Sequence, residues 1–158
     1  MRLEEADIAE KRVFIRADLN VPMQDGQITN DARIRASLPT ISKVLEKNCA
    51  VTVLSHLGRP EEGKFDEAFS LAPIAQRLSE LLSVPVILLK DIEQSKTLSK
   101  GQIGLMENVR FFAGEKGNSD ELGRRMAACC DVFIMDAFGS AHRAHASTNS
   151  IAKHVEVV

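Results

Sequence analysis

Short apolar runs alternate along this chain with longer stretches in which apolar residues recur every three or four positions. The short runs are rich in valine, isoleucine and phenylalanine, a composition typical of buried strands. They predict five strands, at Arg12–Ala17, Cys49–Leu54, Val84–Leu89, Gln102–Met106 and Val132–Met135. Because strands and helical patterns alternate, we expect a three-layer α/β/α sandwich around a mainly parallel sheet.

Helical spacing predicts three longer helices between these strands, over residues 33–47, 71–82 and 119–130. Polar residues are expected to cap these helices, namely Asn30 or Asp31, Ser70 and Ser119. The dipeptide Asp25-Gly26 predicts a turn after the first strand, and residues 91–100 predict a further short helix. The pattern assigns no element to the tail that begins at residue 151.

Polar and basic side chains follow four of the five predicted strands, at the point where each strand ends. In chain order they are Asp18 and Asn20, His56 and Arg59, Asn108 and Arg110, and His142 and Arg143, while Arg33 opens the first helix. The carboxyl ends of parallel strands meet at one edge of the sheet, where ligands of open α/β sheets bind. Several arginine forks at one edge favour a phosphorylated metabolite over a simple carboxylate. Asp18 would repel that anion, so it either orients an arginine or accepts a hydrogen bond from a substrate hydroxyl.

Length, charge and cysteine content narrow the class of protein. The 158 residues fit one domain, and a formal net charge of −2 argues against nucleic-acid binding, which requires a basic face. Three cysteines without a framework spacing indicate free thiols in a reducing compartment. No apolar run approaches the ~20 residues of a membrane helix, and no apolar signal segment opens the chain. We therefore expect a cytoplasmic monomer without nucleic-acid or membrane partners.

Other chemistries find weaker support in the sequence. The segment Gly58–Phe65 departs from a phosphate-binding loop, because Phe65 replaces the hydroxyl that binds the metal and two glutamates lie within it. His142 and His145 could share a metal ion, but no third ligand has suitable spacing, so no metal site is predicted. Neither a dinucleotide-binding fingerprint nor a nucleophile elbow is present.

Four segments resemble the signature segments of phosphoglycerate kinases, in the same order along the chain. They are Val13–Pro22, Ser55–Pro60, Glu107–Phe111 and Asp136–His145. The resemblance implies a Rossmann-like fold and is confined to the amino-terminal domain of that family. Residues 1–158 would then form a domain that binds 3-phosphoglycerate or 1,3-bisphosphoglycerate, and the carboxy-terminal, nucleotide-binding domain would be absent from this chain.

The resemblance also implies roles for individual positions. Arg33 would face the transferred phosphoryl group as the catalytic residue. The co-substrate would be Mg-ATP or Mg-ADP, bound by the missing carboxy-terminal domain, with no cofactor in this chain. The chain alone would bind phosphoglycerate without transferring phosphate, and the alternative interpretation is a stand-alone anion-binding α/β module. The substrate's hydroxy-acid portion would contact Asp18 and Asn20, and its phosphate would contact His56, Arg59, Arg110 and Arg143, with His142 beside them.

Overall fold

Six parallel strands form the central sheet of the structure, a computed structural model that describes residues 6–137 and 144–158. A separate hairpin adds two more strands. In chain order all the described strands are β1 (Arg12–Arg16), β2 (Met23–Gln24), β3 (Gln27–Ile28), β4 (Ala50–Leu54), β5 (Val86–Leu89), β6 (Ile103–Met106), β7 (Val132–Met135) and β8 (Glu156–Val157). The sheet runs β5-β6-β4-β1-β7-β8, and every neighbouring pair in it is parallel. All five predicted strands and the mainly parallel sheet are confirmed.

Helices cover both faces of this sheet. One face carries α1 (Ala32–Glu46) and α2 (Ala72–Leu82), and the other carries α3 (Asp120–Ala127) with the short helical segments Ala146–Ser150 and Ile151–Lys153. Successive side chains of a strand point to opposite faces, so Val13 and Ile15 pack into the core beneath α1 and α2, whereas Phe14 packs beneath α3. No helix in the described part of the chain is long and apolar enough to cross a membrane.

Three strands escaped the sequence pattern because they are too short to show a period. β2 and β3 pair as an antiparallel hairpin around the predicted turn, where Asp25 (φ 50°) and Gly26 (φ 75°) adopt the left-handed backbone of a type I′ turn. β8 adds a parallel strand beside β7 at the edge of the sheet, in the tail that the pattern left unassigned. Short 3₁₀ helices occupy Glu67–Phe69, Ile92–Thr97 and Val109–Phe111.

The start of α1 is held by one of its two predicted caps. Asp31 occupies the cap position, but its carboxylate accepts hydrogen bonds from Arg35 Nε (3.0 Å) and Arg77 Nε (2.9 Å). The Ala32 amide therefore donates to Asn30 Oδ1 instead, over 2.8 Å.

A glutamate at the end of β6 holds the start of α2. The carboxylate of Glu107 is buried and accepts from the Leu71 amide (2.6 Å) and from Ser70 Oγ (2.7 Å). Ser70 Oγ also accepts from the Ala72 amide (3.2 Å), so the predicted cap residue does contact the helix, although the cap position itself is Leu71. The loop after β6 is thereby fastened to the loop that leads into α2.

Candidate functional site

The carboxyl ends of β1, β4 and β6 bring the predicted polar residues that follow these three strands to one edge of the sheet. β4 lies between β1 and β6, so the loops that follow these three strands are neighbours. Those loops contain Asp18 and Asn20, His56 and Arg59, and Asn108 and Arg110. The predicted convergence therefore holds for these loops, while His142 and Arg143 lie outside the residues that the structure describes.

Asp18, Asn20 and Arg33 form a connected group. Arg33 Nη1 donates to the main-chain oxygen of Asn20 over 2.6 Å and lies 3.6 Å from Asp18 Oδ1. The same Asp18 oxygen accepts from the Asn20 amide over 3.2 Å. Of the two roles expected for Asp18, the structure shows the first, since the carboxylate lies against an arginine. The Arg33 side chain stays 54% exposed, so its guanidinium is oriented and still open to a ligand.

Gly58 connects this group to Arg110. Its amide donates to Asn20 Oδ1 over 3.0 Å, and its carbonyl accepts from Arg110 Nη1 over 2.6 Å. The main-chain amide of Arg110 donates to Asn108 Oδ1 (3.1 Å), and the side-chain Nδ2 of Asn108 donates to Leu57 O (2.8 Å). The loops after β1, β4 and β6 are therefore joined by hydrogen bonds, and Arg110 is almost completely buried among them. Arg59, the residue after Gly58, is exposed.

A buried polar network lies behind these loops, and its centre was not predicted as a site residue. Arg16, the last residue of β1, is completely buried. Its Nη2 lies 3.0 Å from His56 Nδ1, its Nη1 donates to Ala17 O (2.7 Å), and its Nε donates to Ser147 Oγ (3.0 Å). Ser147 in turn donates to the carboxylate of Glu115, from Oγ to Oε2 (2.5 Å) and from its amide to Oε1 (2.7 Å).

One signal in the sequence could have revealed this network. Arg16 is a permanent cation directly after the apolar run Val13–Ile15, and a buried charge must have polar partners. Glu115 and Ser147 carried no comparable signal, because they lie in irregular segments far from Arg16 in sequence. Only the fold brings these three side chains together.

Burial affects the ionisation of two acids, Glu115 in the buried network and Asp136 after β7. It raises the pKa of the Glu115 carboxyl, while the hydrogen bond from Ser147 and the charge of Arg16 act in the opposite direction. Burial also raises the pKa of Asp136, against the effect of a hydrogen bond from Thr40 Oγ1 (3.2 Å). Asp136 lines a cavity of about 230 Å³ together with Asp18 and Arg33. Within residues 6–137 and 144–158, no three His, Cys, Asp or Glu side chains are grouped so that they could hold a metal ion.

We expect Gly58→Ala to disrupt the site more than an alanine at another left-handed glycine. Gly58 has φ +60°, and an added Cβ would lie 2.6 Å from the ring of Phe69. Gly26 is the matched control, because its φ is +75° and nothing lies within 4 Å of an added Cβ. Left-handed strain costs about 1 to 2 kcal/mol at either position. The collision at Gly58 should cost about 1 to 3 kcal/mol more.

Urea unfolding of the two glycine variants measures this difference. Equal losses at Gly58 and Gly26 would show that the loop adapts freely around Phe69.

The raised pKa of Glu115 predicts a pH dependence of stability. The native carboxyl holds its proton to higher pH than the unfolded chain does, so its contribution to stability is greatest in acid. That contribution should decline as the pH rises above about 4.3, the ordinary glutamate value, and through the raised native value. The free energy of unfolding of wild type should therefore fall relative to that of Glu115→Gln as the pH rises. A relative rise would contradict the direction of the shift.

The chain is similar to proteins described as phosphoglycerate kinases. The family model with that description matches residues 3–158. The phosphoglycerate kinase of Desulfovibrio desulfuricans is 56% identical over 156 residues, which cover 99% of this chain and 40% of that protein. The structure of phosphoglycerate kinase from Coxiella burnetii matches with a TM-score of 0.93 at 50% identity. The match covers 99% of this chain and 40% of that protein.

A more distant structure shows the same relation. Phosphoglycerate kinase from Pyrococcus horikoshii matches with a TM-score of 0.88 at 34% identity, over 100% of this chain and 42% of its own. The chain thus spans about two fifths of the length of the relatives that it matches.

Proposed function

The chain belongs to the phosphoglycerate kinase family, and we propose that it supplies the phosphoglycerate-binding domain of an enzyme that transfers a phosphoryl group reversibly between 1,3-bisphosphoglycerate and ADP. The observation that carries this proposal is the chain of hydrogen bonds from Arg33 through Asn20 and Gly58 to Arg110. It holds two guanidinium groups at the carboxyl edge of the sheet, where a phosphorylated acid would need them.

The roles that we propose for the site residues follow from their chemistry. Guanidinium groups pair with phosphate oxygens, so the substrate phosphate is assigned to the basic residues beyond β4, β6 and β7. The hydroxyl of the substrate is assigned to Asp18 and Asn20, which carry carboxylate and amide oxygens beside Arg33. The residues that we propose to bind the phosphate are His56, Arg59, Arg110, His142 and Arg143.

Arg33 is proposed to be the catalytic residue. In the direction that consumes ATP, the nucleophile is the carboxylate of 3-phosphoglycerate, which is already ionised at neutral pH and needs no general base. Catalysis then depends on positioning the reactants and on balancing charge at the transferred phosphoryl group. Arg33 suits that task because Asp18 and Asn20 hold its guanidinium in place while more than half of the side chain remains exposed.

The nucleotide and its magnesium ion are proposed to bind elsewhere in the enzyme. The relatives are more than twice as long as the part that this chain matches, and we assign Mg-ATP or Mg-ADP to the remainder of such a protein. Closure of the two parts would bring the substrates together and exclude water. The chain alone is then expected to bind phosphoglycerate and to transfer no phosphate.

Calorimetric titration of the chain with 3-phosphoglycerate, glycerate and inorganic phosphate tests this function. We expect 3-phosphoglycerate to bind with a Kd between micromolar and millimolar, or about −8 to −4 kcal/mol, and more tightly than either fragment. Arg33→Ala should weaken that binding. Arg35→Ala is the matched control, because Arg35 lies on the same helix, is equally exposed and bonds to Asp31 instead.

Two outcomes would contradict the proposal. Equal affinity for inorganic phosphate and 3-phosphoglycerate would point to a general anion-binding module. Equal effects of Arg33→Ala and Arg35→Ala would remove Arg33 from the site.

A further inference from the structure

We propose that Arg16 is a positioning residue that fixes His56 as the Nε2–H tautomer, so that this histidine serves the site as a neutral hydrogen-bond donor and not as a cation. The role in substrate binding rests on the proposed function, whereas the tautomer itself can be measured without any ligand. The argument starts from the completely buried guanidinium at the end of β1.

The contact between Arg16 and His56 has only one chemically consistent reading. Arg16 Nη2 lies 3.0 Å from His56 Nδ1, and both side chains are buried. A guanidinium has N–H donors, no acceptor, and does not lose its proton in proteins. Nδ1 must therefore accept, which requires its lone pair to be free of a proton. In a neutral imidazole the remaining proton then resides on Nε2.

Neighbouring groups prevent the guanidinium from turning away from His56. Arg16 Nη1 donates to Ala17 O over 2.7 Å, and Nε donates to Ser147 Oγ over 3.0 Å. Ser147 is itself held by the buried carboxylate of Glu115, through its hydroxyl and its amide. The planar fork thus has three separate anchors.

The same network fastens a second segment to the sheet edge. Ser147 follows Arg143 by four positions in the sequence, and the Ala146 amide donates to the main-chain oxygen of Glu115 over 2.8 Å. Arg16 therefore links the loop after β4, which contains His56, to Ser147, which follows β7 in the chain.

A fixed tautomer has a direct consequence for ligand recognition. Through Nε2–H, His56 can donate one hydrogen bond to a phosphate oxygen, while the charge of the phosphate is balanced by arginines. The opposite tautomer would place an acceptor at Nε2, and it would repel the same oxygen. Arg16 thereby determines whether His56 attracts or repels the phosphate oxygen, without touching the ligand itself.

Two-bond ¹H–¹⁵N correlation spectra of the intact chain at pH 7 test the tautomer. We expect the Nε2–H pattern for His56 in wild type. Arg16→Lys keeps a cation but loses the planar fork, so the tautomers should mix and the affinity for 3-phosphoglycerate should fall roughly tenfold. Arg12→Lys is the control, because Arg12 is a partly buried arginine at the other end of β1 whose side chain donates to the carbonyls of Ser95 and Leu98. It should change neither the tautomer nor the affinity.

A second variant keeps the test informative if Arg16→Lys fails to fold. His56→Asn retains an acceptor for Arg16 but lacks a donor at the Nε2 position, so its stability should hold while its affinity falls. A wild-type spectrum that shows Nδ1–H or a doubly protonated ring would overturn the proposal, and so would an unchanged affinity in His56→Asn. If wild type shows the Nε2–H tautomer but binds no 3-phosphoglycerate, the proposed function fails and the positioning by Arg16 stands.

Discussion

Replacing Arg16 with leucine is expected to lower the free energy of unfolding by about 3 to 5 kcal/mol, because several buried polar groups lose the charged partner that satisfies them. The substitution removes a cation near the buried Glu115 carboxyl group. It also removes the hydrogen bonds that Arg16 donates to Ser147 and His56. Denaturant unfolding followed by circular dichroism measures the loss.

Two further variants separate the charge effect from simple packing. Arg35→Leu removes an exposed arginine whose ion pair with Asp31 lies on the surface, and it should cost less than about 1 kcal/mol. The double variant Arg16→Leu with Glu115→Leu should recover part of the loss, because no uncompensated charge remains. A loss for Arg16→Leu as small as that for Arg35→Leu would show that the network contributes little to stability.

Replacing Arg110 with alanine is expected to weaken the binding of 3-phosphoglycerate by roughly 10- to 100-fold, which corresponds to one lost charge-assisted contact. Arg110 is almost completely buried and is held by the carbonyl of Gly58, so its guanidinium would contact the proposed substrate without the cost of ordering a flexible side chain. Isothermal titration of wild type and variant measures the change, with thermal melts to confirm that both are folded.

Arg77→Ala is the control for this prediction. Arg77 is a half-buried arginine of α2 that pairs with the carboxylates of Asp31 and Glu80, whereas Arg110 donates to the carbonyl of Gly58 in the loop after β4. Its removal should leave the affinity unchanged. A similar affinity for Arg110→Ala and Arg77→Ala would mean that Arg110 does not contact the substrate.

The sequence predicts the elements that have a clear period and misses those that do not. Five strands and three helices repeat apolar residues over enough positions for the pattern to be visible, and each was found within a few residues of its expected bounds. β2, β3 and β8 have two residues each, which is too short for a period to be seen. Of the hairpin, the sequence predicted only the turn at Asp25 and Gly26. Pairing of β8 with β7 depends on tertiary packing, which no local pattern contains.

The same distinction holds for the candidate site. Residues at the ends of strands could be predicted, because the topology of a parallel sheet places all such ends at one edge. The bridge from Asn20 through Gly58 to Arg110 could not, since the side chains of Asn20 and Arg110 contact the main chain of Gly58 from separate loops. Arg16 was visible in the sequence as a cation in an apolar strand, but its partners Ser147 and Glu115 lie more than ninety positions away.

Asp18 illustrates how a physical conflict in the sequence is resolved by geometry. A carboxylate in a phosphate site is unfavourable unless it serves another group. Here it lies 3.6 Å from Arg33 Nη1 and accepts from the Asn20 amide, so it orients the arginine. Its proposed contact with the substrate hydroxyl is compatible with this arrangement, because a carboxylate has several acceptor positions.

Amide chemical shifts during titration with 3-phosphoglycerate reveal whether the carboxyl edge of the sheet binds a three-carbon phosphorylated acid. The proposed site should give saturable shifts concentrated at residues 18–20, 58–59 and 110. The proposal would be contradicted by shifts concentrated elsewhere, for instance at the aromatic cleft lined by Phe65, Lys90 and Phe111, with the amides of Asp18, Gly58 and Arg110 unchanged.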